Sequence, residues 1–265
     1  MSNATREPIG WTRILLNKVP EVTLAFWVIK VMSTTVGETG ADYLAVHVGL
    51  GTAMTDGLMA ILLLISLALQ LQADRYVPWR YWLAVVLISV VGTQITDFLT
   101  DELEVSLYVS TTVFAAALAV TFIVWYAIER TLSIRTILTP RRELFYWTAI
   151  LFTFALGTAA GDLATEELQL GLRLGVVAFG GMIAIVFVAY RFGAGSVTCF
   201  WIAYILTRPL GASLGDLLSQ PQAYGGLGLG TVVTSAFFLA VIVALVAYLS
   251  VGQRDRPTSA AGELA

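Results

Sequence analysis

Asp42, Asp97, Asp162 and Asp216 each stand five residues after a glycine: Gly37, Gly92, Gly157 and Gly211. One helical turn before each aspartate comes Glu38, Thr93, Thr158 or Ala212. Residues four apart share a helix face, so each pair forms a short polar stripe. Brought together, Glu38, the four Asp carboxylates and the hydroxyls of Thr93 and Thr158 form an oxygen-rich set suited to binding a small cation. Hard oxygen donors suit Mg²⁺, Ca²⁺ or Mn²⁺ better than soft metals. Glu38, Asp42, Asp97, Asp162 and Asp216 are therefore the candidate metal ligands. Clustered carboxylates can also hold and relay protons. A plainer reading stays open, in which each Asp caps the turn after its helix and was copied by duplication.

Two basic residues sit in unusual company. Lys30 lies in the apolar run FWVIKVM and Arg208 in ILTRPLG. A cation in the middle of a membrane helix costs about 2.5–3.5 kcal/mol on insertion scales. Each is expected to meet a carboxylate from another helix or a water-filled cavity, and the two serve as counter-charges to the acidic set. Pro209 removes a backbone hydrogen bond. With Gly211 it marks the candidate helix break.

The elements that carry these residues repeat. Phe26-Trp27, Tyr81-Trp82, Tyr146-Trp147 and Phe200-Trp201 each place a Trp fifteen residues before the aspartate of their copy. The unit is aromatic-Trp, nine residues, Gly, four residues, Asp. Each copy is long enough for two spanning helices of about 20 residues. Helices are predicted over about 22–42, 48–71, 79–99, 105–128, 143–163, 171–191, 196–218 and 227–250. The repeats cover about 20–73, 75–129, 140–192 and 194–250. A polar linker, 129–143, separates two four-helix halves, and 251–265 reads as a disordered tail. The fold class is all-α: a polytopic membrane bundle of eight transmembrane helices, forming one membrane domain over 1–265.

Composition agrees with that class. Of the 265 residues 58% are hydrophobic and 12% charged, about half the charge of soluble domains. The N-terminal MSNATREPIG lacks the apolar core and small-residue cleavage site of a secretory signal, so the first apolar segment is expected to stay as a span. One cysteine, Cys199, and one histidine, His47, exclude an intrachain disulfide and a Cys/His zinc site.

The stretches KVPEVTLAFWVIKV, TTVGETGADYL, VVGTQITDFLTDEL, FALGTAAGDL and ILTRPLGASLGDLLSQPQAYGGLGLGT resemble a bacterial family of four-repeat "membrane-anchored" integral membrane proteins. That family is classed as a repeat of unknown function. The resemblance spans about residues 18–250 and implies the eight-helix topology, with no activity attached.

Orientation follows from charge. Arg6, Arg13, Lys18, Arg75, Arg80, Arg130, Arg135, Arg141, Arg142, Arg191, Arg254 and Arg256 fall on the side of the termini. Basic loops stay in the cytoplasm, so both termini are expected there, in a cytoplasmic (inner) membrane. The aspartates then lie near the outer ends of the odd helices. Asp101, Glu102, Glu104, Glu166 and Glu167 lie in the turns beyond, an acidic mouth that would concentrate cations.

A small transporter or channel for a cation, divalent or proton-coupled, is the leading expectation. A non-catalytic scaffold or sensor with structural aspartates is the alternative, and an intramembrane enzyme the third. No serine–histidine pairing or two-histidine helix motif is present, so no enzymatic activity is expected. The expected partners are the lipid bilayer and a small cation. Neither a cofactor nor a nucleic acid is expected. The run Gly225-Gly226-Leu227-Gly228-Leu229-Gly230 follows no strand and is no nucleotide loop.

Overall fold

The computed structural model describes residues 17–46 and 52–254, without the side chains of 38, 40–46, 52, 253 and 254. His47 and residues 255–265 lie outside the described residues. Eight long α-helices follow one another: α1 Leu24–Val46, α2 Thr52–Leu71, α3 Pro78–Asp97, α4 Leu107–Glu129, α5 Pro140–Asp162, α6 Gly171–Arg191, α7 Ser196–Ser219 and α8 Thr231–Arg254. No strand occurs among the described residues. Seven of the helices are long and apolar enough to cross a membrane, and α1 carries a shorter apolar segment, Leu24–Gly37. The chain is a polytopic helical membrane protein.

Local chemistry explains several of the boundaries. Proline at the first helical turn opens α3 and α5, where its missing N–H costs nothing. Thr139 Oγ1 accepts from the Arg142 backbone at α5's start. Both α3 and α5 end in a π-helical turn, Phe98–Glu102 and Leu163–Glu167. Asp97 and Asp162 immediately precede these turns, and the acids within them are exposed.

Several expected boundaries move. Helix α1 runs on to Val46, past the expected end near 42. The linker loses its end to α5, which begins at Pro140. The glycine run does not start α8. Gly225, Gly228 and Gly230 have φ of 85°, 77° and 80°, outside the right-handed helical region, so α8 waits until Thr231. The run serves α7 instead. The backbone N–H groups of Leu227 and Leu229 donate to the carbonyls of Leu217 and Leu218 at 2.7 and 3.0 Å. They satisfy carbonyls that a helix end leaves open.

The odd helices form a closed inner ring, α1 on α3, α3 on α5, α5 on α7 and α7 on α1. Each even helix packs chiefly on the inner helix of the next copy: α2 on α3, α4 on α5, α6 on α7, and α8 back on α1. The hairpin that repeats in sequence is thus open in space, with α1 and α2 barely touching. In the most apolar window of each span, α3, α5 and α7 are 50–61% buried, against 11–22% for the even helices. The even helices present their large apolar side chains, such as Ile123, Val177 and Phe237, outward, where a bilayer would cover them. The α1 helix is polar in its middle because it faces the ring interior: Lys30, Ser33, Thr34, Thr35 and Thr39 are all buried.

Candidate functional site

The ring is built from two contacts, each made four times. The first joins the aromatic of one copy to the Trp of the next. Phe26 meets Trp82 at 5.5 Å between centroids, Tyr81 meets Trp147 at 5.4 Å, Tyr146 meets Trp201 at 6.1 Å, and Phe200 returns to Trp27 at 5.8 Å. Tyr81 and Tyr146 also share a hydroxyl–hydroxyl hydrogen bond of 2.5 Å. These rings are a packed collar rather than an interfacial belt.

The second contact uses the repeated glycine. A Cβ on Gly37 would strike Ser89, one on Gly92 would strike Phe154, one on Gly157 would strike Arg208, and one on Gly211 would strike Thr34, each within 3.0 Å. Every struck residue stands three before the glycine of the next copy. Missing side chains let the backbones approach, and threonine hydroxyls bridge the gap. Thr96 Oγ1 donates to the Ala155 carbonyl at 3.2 Å, and Thr35 Oγ1 to the Gly211 carbonyl at 3.0 Å.

Counting back in fours from the aspartates gives successive layers of the interior. Asp97, Asp162 and Asp216 are half-buried at one end. Thr93, Thr158 and Ala212 come next, then Thr34, Ser89, Phe154 and Arg208, then Lys30, Val85, Ile150 and Tyr204. The aromatic collar of Phe26, Tyr81, Tyr146 and Phe200 closes the other end. Every member of the four layers behind the aspartates is buried, apart from Glu38, whose side chain lies outside the described residues.

Arg208 occupies the centre of this stack and is 0% exposed. Its Nε donates to Thr158 Oγ1 at 3.0 Å, its Nη1 to the Thr34 carbonyl at 3.0 Å, and its Nη2 to Thr93 Oγ1. One guanidinium thus gathers oxygen atoms from three other copies. The expected seam hydroxyls, Thr93 and Thr158, are among them.

Lys30 behaves differently. It is 1% exposed, and its Nζ has no hydrogen-bond partner among the described residues. The ammonium lies 3.8 Å from the centroid of Phe154 and 4.3 Å from that of Tyr204, a cation–π arrangement. The expected carboxylate partner of Lys30 is therefore corrected to two aromatic faces. Those faces come from copies three and four, and spacing along α1 carries no sign of them.

The helix break is corrected as well. Helix α7 runs unbroken through Pro209. The proline ring packs on α5, within 3.2 Å of where a Cβ would stand on Gly157 and on Gly161. Gly211 is the close contact with Thr34, not a hinge. Asp97, Asp162 and Asp216 each take part in interactions, while the side chains of Glu38 and Asp42 lie outside the described residues. Among the described residues no three of His, Cys, Asp and Glu group so as to hold a metal ion. The side chains of Glu38 and Asp42, two of the five candidate ligands, are not among them.

A polar cluster near the termini gave no sequence signal. Lys18 pairs with buried Glu143 at 2.8 Å. Gln70 donates to the same carboxylate at 3.1 Å and Trp147 at 3.4 Å, while Lys18 Nζ also reaches the Leu71 carbonyl at 3.0 Å. Lys18 reads in sequence as a flanking charge and Glu143 as linker. Glu143 has Thr23, Pro78 and Val197 at the matching places of the other copies, so the repeat could not reveal it. Beside the cluster Tyr76 accepts from Trp82 Nε1 at 3.1 Å. Burial holds its phenol well above the usual range, against the smaller opposing effect of that bond.

A family model described as "Repeat of Unknown Function (DUF347)" matches four times, over residues 25–76, 80–131, 145–194 and 199–255. No curated protein and no solved structure matches the chain.

Proposed function

This chain belongs to the DUF347 repeat family, a repeat of unknown function, and from the axial geometry we propose that it is a small transport protein carrying a cation along the axis of its inner ring. One observation carries this reading. Arg208 is a tethered cation, fully buried on the axis and coordinated by Thr158, Thr93 and Thr34 oxygens from three copies. Oxygens that accept from a guanidinium are equally suited to a metal ion or a hydrated cation. Arg208 keeps the path closed, and an entering cation competes for the same oxygens. Asp97, Asp162 and Asp216, half-buried at one end of the stack, are the mouth from which the cation arrives, and the proposal adds Glu38 and Asp42 to them from their place in the sequence repeat. Repeats about a central path are a common plan in transporters. The activity is passage rather than chemistry, so the protein is not an enzyme.

Placement follows the basic residues on the side of the termini: both termini in the cytoplasm, the mouth outside, in a cytoplasmic membrane. A scaffold is the competing reading. The observation in its favour is the filled axis, where Phe154, Tyr204, Lys30 and Arg208 pack together. Flux into proteoliposomes decides between them, measured for Na⁺, K⁺, Mg²⁺, Ca²⁺ and Mn²⁺ with and without a pH gradient. Saturable uptake of one of these cations above protein-free vesicles is expected. Folded protein that leaves the vesicles tight to all five would make the scaffold the better account.

A further inference from the structure

The transport reading leaves Lys30 without a task. Its Nζ is a buried charge with no acceptor among the described residues. It stands one layer from Arg208, and both side chains are buried. The hydroxyl of Tyr204, whose ring lies beneath that Nζ, is also buried without a partner. Two unmet polar groups thus share one aromatic region of the interior, and among the described residues the ammonium is held there by ring faces alone.

We propose that Lys30 is a proton-exchange group, giving up its proton when a cation enters the axis and regaining it when the cation leaves. This rests on the transport reading and names its coupling ion, the proton. The ring faces offer the ammonium no counter-charge. The guanidinium one layer away has the same sign, and an entering cation adds a second repulsion in a segment where screening is weak. In the step the N–H bond breaks, its electron pair stays on Nζ, and the proton passes to solvent. The cation replaces the lost charge, so the charge of the axis is conserved for a monovalent cation. The neutral amine has a lone pair, so it can accept a hydrogen bond. An ammonium, donor only, cannot.

The titratable and charged groups of the inner layers next to Lys30 come from three other helices: Tyr81 on α3, Tyr146 on α5, and Tyr204 and Arg208 on α7, all buried. The titratable residue of α8 whose side chain is described, Tyr248, is 74% exposed and faces away. On α1 itself stand Glu38, Asp42 and Tyr43. No carboxylate contacts Nζ among the described residues, so the phenols and the guanidinium set its surroundings.

The chain contains two lysines, Lys18 and Lys30, so the test needs few signals. Full-length protein labelled with [13Cε]lysine and placed in nanodiscs gives two resonances, and Lys30→Gln identifies which is which. Each of Na⁺, K⁺, Mg²⁺ and Ca²⁺ is added in turn, with proton release followed in weak buffer. The cation that binds is expected to move the Lys30 signal to the amine position and release one proton. The Lys18 signal, held by Glu143, stays in place. A cation that binds, or crosses in the flux assay, while Lys30 keeps the ammonium signal overturns the inference and leaves transport standing. If no cation binds and none crosses, the transport reading fails and the inference with it. The parent spectrum decides even if the variant does not fold.

Discussion

Arg208 and Lys30 are both buried cations, yet their surroundings predict opposite sensitivities. Removing Arg208 breaks three hydrogen bonds to a charged donor, each worth about 1.5–3 kcal/mol, which outweighs the roughly 2.5–3.5 kcal/mol saved by not inserting the charge. Arg208→Met should therefore destabilise the fold by several kcal/mol. Lys30→Met removes a charge that costs about 2.5–3.5 kcal/mol to insert and loses cation–π contacts worth about 2 kcal/mol when desolvated. The balance is close to zero, so Lys30→Met should change stability by less than about 1 kcal/mol. Unfolding in mixed micelles measures both, and equal losses would refute the contrast. Tyr81→Phe and Tyr146→Phe each break the same hydroxyl pair, at about 0.5–1.5 kcal/mol. The double variant should cost little more than either single one. In sequence, Lys30 and Arg208 stood out as charges where none belong, and Thr93 and Thr158 as seam hydroxyls. The partners of Lys30 did not, because Phe154 and Tyr204 lie more than a hundred residues away and match no charge rule.

Each inner helix owes its place to one glycine and to the residue it meets in the next copy. Gly37→Ala and Gly211→Ala would drive a methyl into Ser89 and Thr34, and such overpacking costs about 1–3 kcal/mol. Gly181→Ala in α6 meets nothing within 4 Å. It should be neutral or stabilise by up to about 1 kcal/mol, since alanine is the better helix former. The same unfolding assay compares them, and a loss at Gly181 equal to that at Gly211 would remove the glycine contacts from the account. The spacing of Gly and Asp made these helices legible, and the eight predicted segments all appear. Details failed where local rules met tertiary ones. Pro209 breaks no helix because Gly157 and Gly161 make room for its ring. The glycine run ends α7 rather than starting α8 because three of its residues hold positive φ.

Over the whole molecule, each outer helix packs on the inner helix of the following copy, and α8 closes onto α1. A chain cut in the 130–139 linker therefore leaves α4 without α5 and α1 without α8. The two halves should copurify when expressed together through a tag on one of them, and neither should give a folded species alone. A stable half would contradict the closed ring. Repetition was visible in sequence as a hairpin, but a hairpin pattern does not say which neighbour a helix chooses. That choice came from collar and glycine contacts between copies. The central claim is that Arg208 is the tethered cation closing an axial path. Cation uptake by proteoliposomes holding Arg208→Gln, beside the parent at equal folded protein, tests it most directly. Glutamine removes the charge and keeps a polar group near Thr93 and Thr158. The account predicts faster uptake through the variant than through the parent. A folded variant that leaves its vesicles as tight as protein-free ones, beside a parent that carries the cation, would contradict it.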